Sequence, residues 1–304
     1  MKILKLLTLI LLAMSLLIIT SCSKNKPAEK GSPEYIKQIQ DWHQHRMENL
    51  EKENGWLNLV GLYWLHDGEN TFGSDSSSDI VFPKKAPGRI GTFTVANGKA
   101  SVKINPDISV TVNKIPIKSM ELTDDYYGNP TVMQLGTYRW FVINRNGRLG
   151  IRLRDLNAPL LKTFKGTETY PINEDWRVTA KFHPFSETKV IEIPNIIKSV
   201  EKDTVTGELS FRLKDKNFTL LPVKEGNEFF IIFADKTNGD ETYGAGRFIY
   251  TSLPNSNGNV IIDFNKAYNP PCAFTRFATC PLPPKENYLD IKITAGEKKY
   301  GEEP

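Results

Sequence analysis

Short runs of β-branched and aromatic residues, separated by turn-forming residues, constrain the fold of this 304-residue chain more than any other feature. The runs occupy residues 57–65, 90–96, 100–104, 138–144, 149–154, 177–183, 229–235 and 260–264. Asn-Gly pairs begin at positions 97, 146 and 257, between such runs, and this pair favours the positive φ angles of tight hairpin turns. The pattern predicts an all-β body of mainly antiparallel strands, because it lacks the strand and helix alternation of a doubly wound nucleotide-binding fold.

One helix is predicted before the strands. Ser32 is a suitable N-cap and Pro33 a suitable first residue, while Asn54 and Gly55 predict the end of the helix. The chain is therefore expected to divide into a signal peptide at 1–21, a tether at 22–31, an N-terminal helix at 32–55, a first β unit, a sandwich, at 56–157 and a second β unit, a sandwich or barrel, at 158–304.

The N-terminus has the pattern of an export signal. Lys2 and Lys5 precede an apolar run at 6–19 that is short for a membrane-spanning helix. The sequence Ile-Thr-Ser-Cys at 19–22 resembles a bacterial lipobox, and this resemblance implies that Cys22 is acylated and becomes the mature N-terminus. We therefore expect an envelope lipoprotein, anchored to a membrane by lipid at Cys22 and facing the periplasm. The alternative is a soluble secreted protein in which Cys22 is incidental.

Charge and motif content exclude several classes of function. The chain has 39 basic and 35 acidic residues, scattered along its length, so it lacks the basic footprint of a nucleic-acid-binding protein. It contains no Walker loop, dinucleotide fingerprint or G-x-S-x-G motif. His43 and His45 are two residues apart and cannot share a helix face, which argues against a metal site. We therefore expect no cofactor, no metal and no nucleic-acid partner; nothing in the pattern predicts an oligomeric state.

Part of the first β unit resembles a forkhead-associated sandwich. The resemblance rests on residues 68–75, 78–82 and 112–115. In that family an Arg and a Ser in the loops bind phosphothreonine. Here Ser74 stands at the position of that Arg, and residues 88–91 (Gly-Arg-Ile-Gly) replace the usual Ser-Arg-x-His. The resemblance therefore implies the sandwich fold and does not carry the phosphothreonine site.

A polar cluster in the last third of the chain carries a second resemblance. It comprises residues 241–247, 263–274 and 278–287 and includes the run Asn-Pro-Pro-Cys-Ala-Phe at 269–274. Together with residues 54–65, the cluster is similar to the bacterial and archaeal domain-of-unknown-function family 1684, over about residues 40–300. This resemblance implies the extent of the domain and brings no activity, so function has to be argued from the residues.

The polar cluster is the candidate site. Pro270 and Pro271 cannot continue a strand ladder, so the chain turns after the strand that ends near Asp263. We expect this loop to bind a small polar or anionic ligand, with the planar guanidinium of Arg247 holding an anion. The candidate ligand-binding residues are Tyr243, Arg247, Asp263, Asn265, Tyr268 and Asn269.

Two alternative functions fit the same residues. The first is a carboxylate-dependent hydrolase acting on an envelope substrate, with Glu241, Asp263 or Glu286 as the catalytic acid or base. The second is a structural envelope scaffold, in which Glu241, Arg247 and Asp263 form a buried ion-pair network.

Cys272 and Cys280 are the remaining thiols of the predicted mature domain apart from Cys22. An exported domain meets oxidising conditions, so a disulfide between them is the leading interpretation. A pair of reduced thiols is the first alternative. Zinc binding would need two further ligands, and a cysteine nucleophile would need a nearby base.

Overall fold

The computed structural model describes residues 28–126 and 128–301. The predicted signal peptide and Cys22 lie outside these residues. The described chain is an N-terminal helix followed by mainly antiparallel β sheets, which confirms the predicted fold class. No helix in this part of the chain has both the length and the apolar character needed to cross a membrane.

Helix α1 spans Pro33–Glu51 and begins as the sequence predicts. The Ser32 side chain accepts a hydrogen bond from the Tyr35 backbone N–H at 3.1 Å, so a local side chain satisfies one of the free donors of the first turn. Its apolar face buries Tyr35, Ile39 and Leu50. Leu50 packs in a cluster with residues of the second β unit, so the helix lies against that unit.

The first β unit consists of two sheets around one core. Its strands are β1 (Leu59–Trp64), β2 (Gly68–Gly73), β3 (Ile80–Val81), β4 (Gly91–Ala96), β5 (Lys99–Ile104), β6 (Val110–Val112), β7 (Ile115–Ile117), β8 (Ser119–Leu122), β9 (Met133–Leu135), β10 (Tyr138–Arg145) and β11 (Arg148–Asp155). The sheet orders are β3-β2-β4-β5-β8 and β1-β11-β10-β9-β6-β7. Phe72 and Trp140 meet between the sheets with ring centroids 6.0 Å apart, which marks the centre of this core.

Of the Asn-Gly pairs at 97, 146 and 257, the first two form the predicted hairpin turns. Asn97 and Gly98 have φ angles of 51° and 71° and join β4 to β5; Asn146 and Gly147 have φ angles of 53° and 81° and join β10 to β11. Both residues of each pair are left-handed, as a tight hairpin turn demands. At the third pair Gly258 is left-handed (φ 69°), but it precedes a strand that pairs with a different sheet, so no two-residue hairpin forms.

The second β unit also has two sheets. Its elements are α2 (Pro159–Thr163), β12 (Arg177–Pro194), β13 (Val200–Leu213), β14 (Lys216–Leu220), β15 (Val223–Glu225), β16 (Glu228–Asp235), β17 (Arg247–Ser252), β18 (Asn259–Asp263) and β19 (Tyr288–Leu289). The sheet orders are β14-β13-β12-β18 and β15-β16-β17, with β19 parallel to β16. Short 3-10 turns are formed by Glu174–Trp176, Phe264–Lys266, Pro271–Ala273 and Lys285–Asn287.

Strand β12 is much longer than the predicted run at 177–183. It continues to Pro194 and pairs with β13 in a long hairpin, whose register shifts between Pro184 and Lys189. Pro184 has no N–H to donate, and a strand tolerates such a residue at a bulge. The predicted strand ended before this proline because no sequence motif indicates the bulge that accommodates it.

Candidate functional site

Asp263 and Asn265 connect the end of β18 to the helix. The Tyr35 hydroxyl donates to both carboxylate oxygens of Asp263 at 3.0 Å, and the Asn265 backbone N–H donates to the same carboxylate at 3.0 Å. The Asn265 side-chain amide donates to the Asn173 carbonyl at 2.9 Å. Burial, followed by the charge of Asp263, raises the pKa of Tyr35 far above its usual value, so its hydroxyl stays a donor. These two predicted site residues hold elements of the fold together.

Arg247 is fully buried and has an internal partner. Its Nη2 donates to Asp235 Oδ2 at 2.7 Å and to the Ile293 carbonyl at 3.0 Å, and both charged side chains have no exposed surface. The other Asp235 oxygen accepts from Thr237 and from the Ile293 backbone N–H. The structure therefore differs from the expectation at Arg247: the anion it holds is Asp235, a residue that the sequence analysis did not single out.

Asn269 belongs to a second buried network, centred on Glu297. The Asn269 N–H donates to Glu297 Oε2 at 2.7 Å, and Arg46 Nε lies 3.4 Å from Glu297 Oε1. Arg46 Nη2 also donates to the Asn269 carbonyl at 2.9 Å. Burial raises the pKa of the Glu297 carboxyl, while Arg46 and the Asn269 N–H oppose that effect. Tyr243 is buried nearby in the same apolar cluster as Tyr268.

The three candidate catalytic carboxylates have different surroundings. Glu241 accepts from the Tyr170 hydroxyl at 2.9 Å and from Lys292 Nζ at 3.0 Å, and these contacts lower its pKa. Glu286 is exposed on the turn Lys285–Asn287. Asp263 lines a cavity of 460 Å³.

Cys272 and Cys280 form a disulfide in the structure, with their Cα atoms 6.1 Å apart. Both residues are buried. The disulfide closes the loop that contains Thr279, so it restrains the position of that hydroxyl.

A cavity of 700 Å³ lies where the helix and both β units meet. We call it the arginine pocket. Its lining includes Trp42 and Arg46 of α1, Trp56, Arg145 and Arg152 of the first unit, and Glu225, Phe230, Phe248, Tyr250, Tyr268 and Thr279 of the second. Of the predicted ligand-binding residues, Tyr268 lines this pocket. The volume is typical of small-molecule sites in proteins.

Two of the three arginines that line the pocket, Arg145 and Arg152, come from the outer face of the β10–β11 hairpin. Along β11, Leu149, Ile151 and Leu153 are buried in the core of the first unit. Successive side chains of a strand point to opposite faces, so Arg152 and Arg154 point away from that core and towards the second unit.

Arg152 is a buried cation with no carboxylate at ion-pair distance among the described residues, although the charge of Asp125, which pairs with Arg145, partly offsets its own. Its side chain is 4% exposed, and its Nη2 donates only a long hydrogen bond, 3.3 Å, to Thr279 Oγ1. Its Nε has no hydrogen-bond partner, and it forms no ion pair with any residue of 28–126 or 128–301. Burial, followed by repulsion from Arg145, lowers the pKa of Arg152 to about 10. Such a group is a strong candidate to bind an anion from outside the chain.

The neighbouring arginines differ from Arg152 because they have partners. Arg145 donates through both terminal nitrogens to Asp125 at 2.9 Å, and its Nε donates to Thr279 Oγ1 at 3.2 Å. Arg154 Nη1 donates to the Gly55 carbonyl and, at 2.8 Å, to Asn58 Oδ1. Asp125 therefore neutralises Arg145. Arg154 is buried like Arg152, and burial lowers its pKa to about 10 as well, but its acceptors are neutral and it does not line the arginine pocket. Arg152 is thus the unneutralised cation of this hairpin that lines the pocket.

Sequence reasoning missed this site. The signal was present in the predicted strand 149–154, where Leu149, Ile151 and Leu153 alternate with Arg152 and Arg154. An isolated strand with that alternation has one solvent-facing polar face. Only the tertiary structure reveals that the second unit covers this face.

Two solved structures are similar to part of this chain. A solution NMR structure of an uncharacterized protein of Haloarcula marismortui, from gene locus rrnAC0354, is 29% identical; the match covers 45% of this chain and 78% of that protein, with a TM-score of 0.38. The forkhead-associated domain of FhaA, solved in complex with the intracellular domain of Rv3910, is 19% identical; that match covers 31% of this chain and 97% of the domain, with a TM-score of 0.21. No curated protein sequence matches the chain.

The family comparison confirms part of the resemblance seen in the sequence. Residues 162–298 match the family described as "Protein of unknown function (DUF1684)". The matched segment is shorter than the span of about 40–300 over which the sequence resembles this family. It includes the Asn-Pro-Pro-Cys-Ala-Phe run and most elements of the second unit. The match supports the resemblance of the second unit to this family.

Proposed function

We propose that the protein binds a small anionic ligand in the arginine pocket. The observation that carries this proposal is Arg152, a guanidinium that is 4% exposed, faces a 700 Å³ cavity and has no carboxylate partner in the described chain. A buried charge without a partner costs free energy, and proteins seldom keep one unless a bound group neutralises it.

The groups around Arg152 suit a carboxylate, phosphate or sulfate. A guanidinium can donate two parallel hydrogen bonds to such an anion. The Thr279 hydroxyl lies within hydrogen-bonding distance of both Arg145 and Arg152, so it marks a point on which these donors converge. Arg46 contributes less free charge to the pocket, because the buried carboxylate of Glu297 neutralises it.

The proposed site takes the ligand class that the sequence predicted, but it is centred on Arg152 and not on Arg247. The sequence predicted a polar or anionic ligand at the loop around Arg247, Asn265 and Asn269. The internal bonds of these residues support a framing role: they fix the loop that presents Tyr268 to the pocket. The hydrolase and scaffold functions stay predictions. If an Asp263→Asn variant binds anions as the native protein does, the predicted hydrolase carboxylate is not part of the proposed anion site.

Anion titration tests the proposal. In calorimetric titrations of the protein with inorganic phosphate, sulfate and acetate, at least one anion should bind saturably. The Arg152→Met variant should lose that binding, because Met keeps most of the side-chain volume and removes the charge. Arg148→Met is the matched control: Arg148 lies on the same strand but is exposed and stacks on Trp64 outside the pocket. Saturable binding that survives Arg152→Met would refute the proposed site.

We further propose that the protein acts at the bacterial envelope as a lipoprotein anchored at Cys22. The support is the charged and apolar N-terminus followed by the lipobox-like run at 19–22. Acyl chains on Cys22 would tether the folded part through the polar segment that follows. Expression of Cys22→Ser in a bacterial host with radiolabelled palmitate tests this: the native chain should be labelled and sediment with membranes, and the variant should be unlabelled. Equal labelling of both would contradict the assignment.

A further inference from the structure

The arginine pocket has a second feature that the proposed anion site does not use: a continuous aromatic wall. The ring centroids of Tyr250 and Phe230 are 4.8 Å apart, those of Phe230 and Phe248 are 4.9 Å apart, and those of Phe248 and Tyr268 are 5.8 Å apart. Trp42 extends the wall, with its centroid 6.2 Å from that of Tyr268. All five side chains line the same cavity as Arg152.

Part of this wall is accessible to a ligand. Phe230 and Phe248 are buried and support the wall from within the second unit, whereas Tyr250 is 40% exposed. Trp42 and Tyr268 are half-buried. Aromatic surface left open in a cavity, with buried aromatic rings behind it, suits the stacking of a flat apolar group.

The charges in the pocket favour a ligand with negative charge at one end only. Arg152 provides the cationic end. At the aromatic wall, the Tyr250 hydroxyl donates to Glu225 Oε2 at 2.7 Å, so a carboxylate borders the wall. A second anionic group on the ligand, placed against this wall, would be repelled by Glu225.

We propose that the ligand of the arginine pocket is an aryl anion: a flat aromatic body bearing one carboxylate or phosphate group. This inference rests on the proposed function, because it assigns the anionic group to Arg152. The aromatic body stacks on the part of the wall formed by Trp42 and Tyr250, because the guanidinium of Arg46 already lies over the ring of Tyr268, 4.5 Å from its centroid. Stacking on the wall thus contributes to the affinity for the aromatic part of the ligand, and Arg152 fixes the orientation of the ligand by binding its anionic group.

Matched probes test the ligand class. In calorimetric titrations, 2-naphthoate should bind at least about tenfold more tightly than acetate, since ring stacking and apolar burial add to the anion contact. Cyclohexanecarboxylate should bind more weakly than 2-naphthoate because its ring is not flat. The dianion 2,6-naphthalenedicarboxylate should also bind more weakly, owing to Glu225. For the phosphate group, phenyl phosphate should likewise bind more tightly than inorganic phosphate.

Variants of the wall separate this inference from the proposed function. Tyr250→Phe and Tyr250→Leu both lose the hydroxyl that bonds Glu225, but only Tyr250→Leu also loses the ring. Tyr250→Leu should therefore bind 2-naphthoate roughly fivefold or more weakly than Tyr250→Phe, and the two variants should bind acetate or phosphate alike. Tyr288→Leu, at an exposed tyrosine that does not line the pocket, is the control. If 2-naphthoate binds no tighter than acetate, while acetate still depends on Arg152, the aryl class is refuted and the anion site stands. If no probe depends on Arg152, both are refuted.

Discussion

Replacing Arg152 with Met should stabilise the protein in the absence of ligand. Burial and the charge of Arg145 hold the pKa of Arg152 at about 10 in the folded chain, below its value in the unfolded chain. A depression of this size corresponds to roughly 3 kcal/mol of destabilisation at neutral pH. Since the folded-state pKa is the lower one, the penalty is fully present below about pH 10 and decreases only as the pH rises further.

Two contacts of Arg152 reduce the expected gain. The hydrogen bond to Thr279 is worth about 1 kcal/mol, and the position of the guanidinium 5.5 Å from the Trp56 ring centroid is worth about 0.5–1 kcal/mol. Arg152→Met should therefore raise the free energy of unfolding by about 1–1.5 kcal/mol, the difference between these terms.

Urea denaturation at pH 7 measures this change, with an unchanged m-value as the sign that both variants unfold alike. Arg145→Met is the matched comparison, because Arg145 lines the same pocket but is paired with Asp125. Its removal leaves that carboxylate without its cation and should destabilise the protein by about 1–3 kcal/mol. The opposite signs of the two substitutions are the diagnostic result. If Arg152→Met destabilised the protein as Arg145→Met does, Arg152 would have to be a paired structural residue.

Three further predictions concern the frame of the site. Asp235→Asn leaves the charge of Arg247 buried and unpaired and should lower the free energy of unfolding by about 3–5 kcal/mol, whereas Asp215→Asn, at an exposed ion pair, should change it by less than about 1 kcal/mol in the same urea assay. Burial lowers the pKa of His43 to about 4, so stability should fall by roughly 2–3 kcal/mol as the pH drops from about 6.5 to 4, and His43→Gln should flatten this part of the pH profile. Reduction of the Cys272–Cys280 disulfide should cost roughly 2–3 kcal/mol in a comparison with and without dithiothreitol; no change in any of these three measurements would contradict the corresponding interaction.

Local patterns in the sequence were sufficient to predict the helix and several strands, whereas strands such as β13 and β17 lie in no predicted run. The helix follows from Ser32 and Pro33, and the β10–β11 hairpin follows from alternating apolar residues around Asn146-Gly147. These features depend on capping, φ preference and strand alternation, which act between near neighbours in the chain. The same reasoning fails at Pro184, because the bulge that accepts this proline depends on pairing with β13.

The candidate site could be predicted only in part, since its charges are balanced by residues distant in sequence. Arg247 resembled an anion clamp because the sequence cannot indicate that Asp235 lies 2.7 Å from its guanidinium. Arg152 resembled an ordinary polar residue on a strand because its burial depends on Trp56 and on the loop that contains Thr279. The motif led to the prediction of a polar or anionic ligand, which stays a prediction, whereas the proposal of Arg152 as its cation required the packing of the two β units.

The most direct test of the account is the NMR signal of the Arg152 Nε–H group during titration with sulfate and 2-naphthoate. The signal is assigned by its loss in Arg152→Met. A free Nε–H that acquires an anionic acceptor should shift downfield and saturate, while the Nε–H signal of Arg148 should stay constant. If the Arg152 signal does not move at anion concentrations that saturate the protein, the anion binds elsewhere and the arginine pocket is not the site.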